Sequence, residues 1–377
     1  MLAYAPKKLM IEAEVLDTPL VRTLRDKLPA ASIQIVEQMP ERANFDPALL
    51  EIVRFKGRFL KDCPGTRHYL CCGYRILHFG VQCTLQCSYC ILQVYLNQPN
   101  LRLFANTDDL LRELDAALAA QPDRLHRIGT GEFTDSLLLD PWTGFSRLLV
   151  PHFAGRPNAV LELKTKTAHI ENLADLPHGG HSIVSWSLNA EPVRQREEAR
   201  ATTIRQRLRT AQQCAEWGYW LSFHFDPMIH YLGWRKDYGE VLARLFDAVD
   251  PGRIVWISLG AFRFMPELKS IMRKTHPESR ILYGEFIRGL DGKMRYFRDL
   301  RIELYAFMVE RIRSADPNLC IYLCMEGEDI WREAFGFSPE QQGGLPAMLD
   351  RAVRERMQVG IHCQGESQCS FRKAMKN

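Results

Sequence analysis

CTLQCSYC, residues 83–90, places Cys83, Cys87 and Cys90 at a C-x3-C-x2-C spacing immediately after the β-rich run RILHFG at 75–80. Parallel α/β barrels carry their chemistry in the loops at the C-terminal ends of the strands. A ligand-rich loop in that position favours a barrel over a doubly wound sheet, which shows the same alternation of strands and helices. Three thiolates can hold three irons of a four-iron cluster. The fourth iron is then free for a substrate or cosubstrate, as a catalytic zinc keeps an open position. Two plainer readings stay open: a structural zinc knuckle completed by Cys71, Cys72 or His78, and reduced buried thiols.

Outward from the loop, near-continuous apolar runs recur at 75–80, 127–131, 159–165, 182–189, 219–226 and 253–260. Such runs suit parallel strands covered on both faces. Helical patterns separate them. One opens at Thr107 with acids in its first turn, one stops at Gly218, and one closes on Pro251-Gly252. The expected fold is α/β, a partial (β/α)6 TIM-like barrel over residues 71–270. A small β-α-β unit precedes it at 1–70. A C-terminal hairpin, helix and tail follow at 271–377, with a hairpin turn at Asp291-Gly292, a strand at 319–325 and a polar tail.

The 377 residues carry a net charge of +4 with 46% hydrophobic and 25% charged residues, the profile of a globular protein with an ample core, whose mild basicity permits a nucleic-acid partner without arguing for one. No run of about 18 apolar residues predicts a membrane span. The N-terminus lacks the apolar region of a secretory signal. The 11 cysteines are bunched, which points to metal or redox chemistry in the cytoplasm.

The C-x3-C-x2-C loop resembles that of the radical S-adenosylmethionine (SAM) superfamily, including the aromatic Tyr89 before the third cysteine. CSYCILQVYLNQPNLRLFANTDDLL at 87–111 is similar to the spore photoproduct lyase family. So are IEAEVLDTPLVRTLRDKLP at 11–29, KTAHIENL at 166–173, WSLNAEPVRQREEARATTIRQRLRTA at 186–211, GYWLSFHFDPMIHYLGW at 218–234 and FRF at 262–264. The resemblance runs over roughly residues 8 to 325. It implies a [4Fe-4S] cluster on Cys83, Cys87 and Cys90, with SAM bound at the open iron. Reductive cleavage would then yield a 5′-deoxyadenosyl radical that abstracts hydrogen from a modified pyrimidine in DNA. It also implies an external electron donor such as a flavodoxin or ferredoxin.

Carried over residue by residue, Thr134, Lys166 and Ser187 fall where the family contacts the methionyl part of SAM. Tyr89, Glu132, Asn189 and Asp226 join them as candidate cosubstrate contacts, and Tyr89 and Glu132 are also candidate catalytic residues. Two positions depart from the family. Its hydrogen-donor cysteine aligns with Glu132, and its tyrosine after the third cluster cysteine aligns with Ile91. Cys320, Cys324 and Tyr219 are alternative donors. Candidate substrate residues are His230, Arg263, Lys293 and Arg295. The last two lie in RGLDGKMRYFRDLR at 288–301, where bases interleaved with aromatics suit phosphate contact and base stacking. An exposed hairpin with one packed aromatic is the bland reading. Cys63, Cys71, Cys72, Cys363 and Cys369 read as structural thiols or tail residues. Two other functions compete: a radical SAM enzyme acting on a small molecule, peptide or RNA, and a non-catalytic metal-bearing nucleic-acid-binding protein.

Overall fold

Seven parallel strands, rather than the six runs counted from sequence, form the wall of the barrel. The computed structural model describes residues 4–40, 45–65 and 68–359. In sheet order the wall runs Arg75–Leu77, His126–Gly129, Ala159–Thr165, Ser182–Ser187, Trp220–Met228, Ile254–Ala261 and Cys320–Leu323, all paired in parallel. Leu60–Asp62 adds an antiparallel strand at one edge. The two outer strands are not paired with each other, so the barrel is open. The seventh parallel strand is the run expected at 319–325 in the C-terminal extension.

The strands form where apolar residues run without interruption, and every residue of Ser182–Ser187 and Ile254–Ala261 is buried. Helices pack outside them. The helix Ile204–Glu216 begins with a capping box in which Thr203 and Gln206 satisfy each other's free backbone donors. It stops at Gly218, where φ is +89°. Side chains alternate across each strand. The inward row carries unusual polarity for a barrel: Glu162 accepts from Ser185 at 2.6 Å, Ser222 at 2.7 Å and His224 at 2.8 Å.

The N-terminal unit is the expected parallel β-α-β arrangement of Lys8–Glu12, Pro19–Lys27 and Ser32–Val36, extended by Leu49–Val53. Its sheet continues into Leu101–Phe104 and then Gly80–Val81. Those last two strands bracket the cysteine loop. Both ends of the loop are therefore anchored on the accessory sheet.

The hairpin turns at Gly292, where φ is +79°, between Ile287–Arg288 and Met294–Arg295. Arg263–Phe264 pairs with its second strand. Phe262, Phe264, Phe286 and Tyr296 pack in a continuous set of rings beneath it.

Candidate active site

The three thiols of the loop open into one cavity of about 620 Å³, lined also by Tyr89, Glu132, Thr134, Lys164, Lys166 and Ser187. Burial raises the pKa of Cys83, Cys87 and Cys90, and the Lys166 charge pulls Cys87 and Cys90 back down. Among the described residues, no three His, Cys, Asp or Glu side chains converge to hold a single metal ion. A multi-iron cluster takes one thiolate per iron, so its ligands need not converge on a point, and three soft donors around a cavity fit such a group. His78, a candidate zinc ligand, packs among Phe55, Phe104 and Phe133 instead. Burial and the nearby Lys61 push its pKa down to about 4.

A buried carboxylate pair clips the loop to the barrel. The Tyr89 hydroxyl donates to Glu198, and the Ser88 hydroxyl to Glu197. Ser88 N–H also donates to the Glu197 carbonyl at 3.0 Å. Glu198 further accepts from Lys166 at 3.1 Å and from Arg207 at 2.7 Å. Burial raises the Glu198 pKa, but Lys166 and Arg207 outweigh it and hold it at about 2. Lys166, a candidate contact to the methionyl part of SAM, thus already has a counter-ion. Its ammonium also lies 5.7 Å from the centre of the Tyr89 ring. Neither Glu198 nor Arg207 was read from sequence, although Arg207 interrupts the apolar stripe of Ile204, Leu208 and Ala211.

Glu132, a candidate cosubstrate contact, pairs with Lys164. Burial opposes the Lys164 charge, yet Glu132 raises its pKa above the ordinary value. Lys164 was missed, although strand alternation puts it on the same face as Lys166. Thr134 and Ser187 line the same cavity. Asn189 does not reach it as a free ligand. Its amide donates to the Pro227 carbonyl at 2.9 Å, and its oxygen accepts from Tyr238 at 2.7 Å and from Ala190 N–H at 3.0 Å.

Asp226 and Arg263, expected to contact separate ligands, form a two-pronged ion pair at 3.0 and 3.1 Å. Gly260 makes room for it: a Cβ there would lie 2.5 Å from the Asp226 carboxyl carbon. His230 lines a second cavity, of about 710 Å³, with Arg196, Arg280 and Tyr296.

The hairpin bases correct the phosphate-contact expectation. Lys293 and Arg295 are only 5% and 2% exposed. Arg295 donates to Asp291 at 2.7 Å and to the Met325 carbonyl at 3.2 Å, and its guanidinium stacks 4.2 Å from the Tyr69 ring centre. Lys293 points to the Met325 sulfur at 3.4 Å. Arg301 is buried against Glu326, and Arg298 is held by Glu333 and Asp329. Arg288 faces solvent, and Arg298, although paired, keeps 40% of its side chain exposed.

Among the expected donors, Tyr219 is committed to the Leu173 carbonyl at 2.9 Å, and Cys320 opens the seventh strand at the end remote from Cys324. Cys363 and Cys369 lie outside the described residues.

A family model described as spore photoproduct lyase matches residues 72–303. The spore photoproduct lyase of Bacillus subtilis (strain 168) is 24% identical over 339 residues, 84% of this chain and 97% of that protein. That of Clostridium acetobutylicum is 22% identical over 237 residues, 61% of this chain and 70% of that protein. A doubly substituted spore photoproduct lyase solved with bound AdoMet and dinucleoside spore photoproduct superposes with a TM-score of 0.76. It is 22% identical, over 85% of this chain and 99% of the other.

Proposed function

The chain is an enzyme of the spore photoproduct lyase family, within the radical SAM enzymes, and on that premise we propose that it reverses a pyrimidine photoproduct in DNA. The observation that carries this reading is the opening of Cys83, Cys87 and Cys90 into one cavity with Thr134, Lys166 and Ser187. The three thiolates would hold a [4Fe-4S] cluster with SAM bound beside it in the cavity, and when bound these groups would supply the radical chemistry that removes a hydrogen atom from the lesion. Lys166 lowers the cost of the thiolates by its positive charge. Thr134 and Ser187 donate hydroxyl hydrogen bonds to the methionyl group. Tyr89, fixed through its hydroxyl by Glu198, holds the loop against the barrel. A protein one-electron donor of the flavodoxin or ferredoxin class reduces the cluster, and the reaction runs in the cytoplasm.

Anaerobically reconstituted protein with reductant, SAM and dinucleoside spore photoproduct tests this. Repaired dinucleoside thymine together with 5′-deoxyadenosine is expected. 5′-Deoxyadenosine without repair overturns the lesion reading, and no 5′-deoxyadenosine overturns the radical reading. A second reading, a radical SAM reaction on a different substrate, draws support from Glu132. A carboxylate paired to Lys164 stands there, and it cannot give up a hydrogen atom as a thiol does.

A further inference from the structure

The seventh strand ends at the barrel mouth in a thiol that the proposed reaction has not yet used. Cys324 N–H still donates to the Leu259 carbonyl at 2.9 Å, so the residue is held in the sheet ladder. The next residue, Met325, turns the chain away with φ at +57°, an uncommon conformation for a side chain of its size. That turn is braced from several sides. Lys293 and Arg295 reach Met325, and Arg301 and Tyr305 reach Glu326. The buried hairpin bases thus fix the chain directly after Cys324.

The sulfur is also oriented. Arg263 Nη2 donates to Cys324 Sγ at 3.3 Å, while its two terminal nitrogens are pinned by Asp226. A sulfur that accepts on one side presents its S–H elsewhere. Cys324 is partly exposed and lies within electrostatic reach of Glu132 and Lys164, both on the wall of the cluster-loop cavity. Burial pushes its thiol up to about 12 against the pull of Arg263, so the proton stays on sulfur at neutral pH. Cys63 lies within the same electrostatic reach of Glu132 and Lys164, but it is Cys324 that the Arg263 guanidinium orients. The Cys72 thiol is engaged by its neighbour Cys71.

Resting on the lesion-repair reading above, we infer that Cys324 is the hydrogen-atom donor to the substrate radical and that Arg263, fixed by Asp226, is its positioning residue. The Sγ–H bond breaks homolytically. The hydrogen atom forms a C–H bond on the substrate carbon bearing the unpaired electron, and sulfur is left as a thiyl radical. The thiyl returns to thiol by taking one electron from the same external protein donor and one proton from solvent.

The test is turnover of dinucleoside spore photoproduct in D2O, scored as deuterated repaired product per 5′-deoxyadenosine. Wild-type protein is expected to place one solvent deuterium in each repaired product. C324A and C324S, checked for wild-type thermal unfolding, are expected to fall to about a tenth of that yield or less. A wild-type yield from either variant overturns the proposal, as does a loss confined to C63A or C72A. R263Q should lower the yield and R263K recover part of it, and equal yields from the two overturn the positioning role. Wild-type protein that forms 5′-deoxyadenosine but no repaired product marks a failure of the lesion reading itself, which takes this proposal with it.

Discussion

Lys166 and Glu198 stand 3.1 Å apart behind the cysteine loop, and the same carboxylate holds the Tyr89 hydroxyl and the Arg207 guanidinium. One buried acid thereby ties a loop residue, a strand-end cation and a helix cation together. Arg207 and Glu198 are both fully buried, so neither can turn to water when its partner is lost.

Glu198 should therefore show itself in the pH dependence of stability. Its folded pKa of about 2 lies below its ordinary value of 4.5. The ion pairs thus stabilise the fold above about pH 4.5, and that contribution fades as pH falls toward about 2. E198Q should remove much of this slope and destabilise the protein by about 3–5 kcal/mol at neutral pH, because Arg207 is left buried and unpaired. Urea unfolding of both proteins across the acid range measures it.

The barrel interior should not tolerate a methyl group at residue 129. A Cβ on Gly129 would sit 1.3 Å from the Tyr74 hydroxyl, which already occupies that space. G129A should cost about 1–3 kcal/mol or more through overpacking. G129A/Y74F should recover part of it, as thermal unfolding of the two variants would show.

Duplex binding should separate the hairpin bases by direction. Arg288 is exposed, whereas Arg295 is locked against Asp291 and Met325. R288A should reduce the slope of log affinity against log salt by about 1 if that guanidinium meets a phosphate. R295A should leave the slope unchanged and lower the unfolding temperature. Reduced salt slope in R295A with unaltered stability would contradict its burial.

Removing one loop thiol should abolish the metal centre rather than weaken it. C87S is expected to lose iron, sulfide and visible absorbance after anaerobic reconstitution. Its 5′-deoxyadenosine formation should drop by more than the ~10–100-fold typical of losing a ligand's hydrogen-bond partner. Iron and sulfide analysis separates loss of the cluster from loss of the chemistry.

The parts legible in the sequence were those governed by local pattern. Apolar runs marked six strands of the wall, and the cysteine spacing marked the loop that shares a cavity with Thr134, Lys166 and Ser187. The seventh strand, Cys320–Leu323, was visible as a strand, but no local signal assigns it to the barrel, since a long helix and a hairpin intervene. Charge pairing was the least legible layer. Lys164 with Glu132, Lys166 with Glu198 and Asp226 with Arg263 join residues 32 to 37 positions apart, across strands whose register the sequence does not state. The hairpin bases looked like a surface patch for the same reason. Their partners, such as Met325 and Glu326, come from a later segment.

The accessory sheet has a consequence for the order in which the molecule is made. Two neighbouring strands at one side of it, Leu101–Phe104 and the edge strand Gly80–Val81, close the cysteine loop at both ends, and all its members lie before residue 105. During synthesis from the N-terminus, this sheet can assemble before His126–Gly129 and the five wall strands after it have left the ribosome. The anchors of the cysteine loop can thus be in place before most of the wall, and the rest of the barrel is built around a loop whose ends are already set.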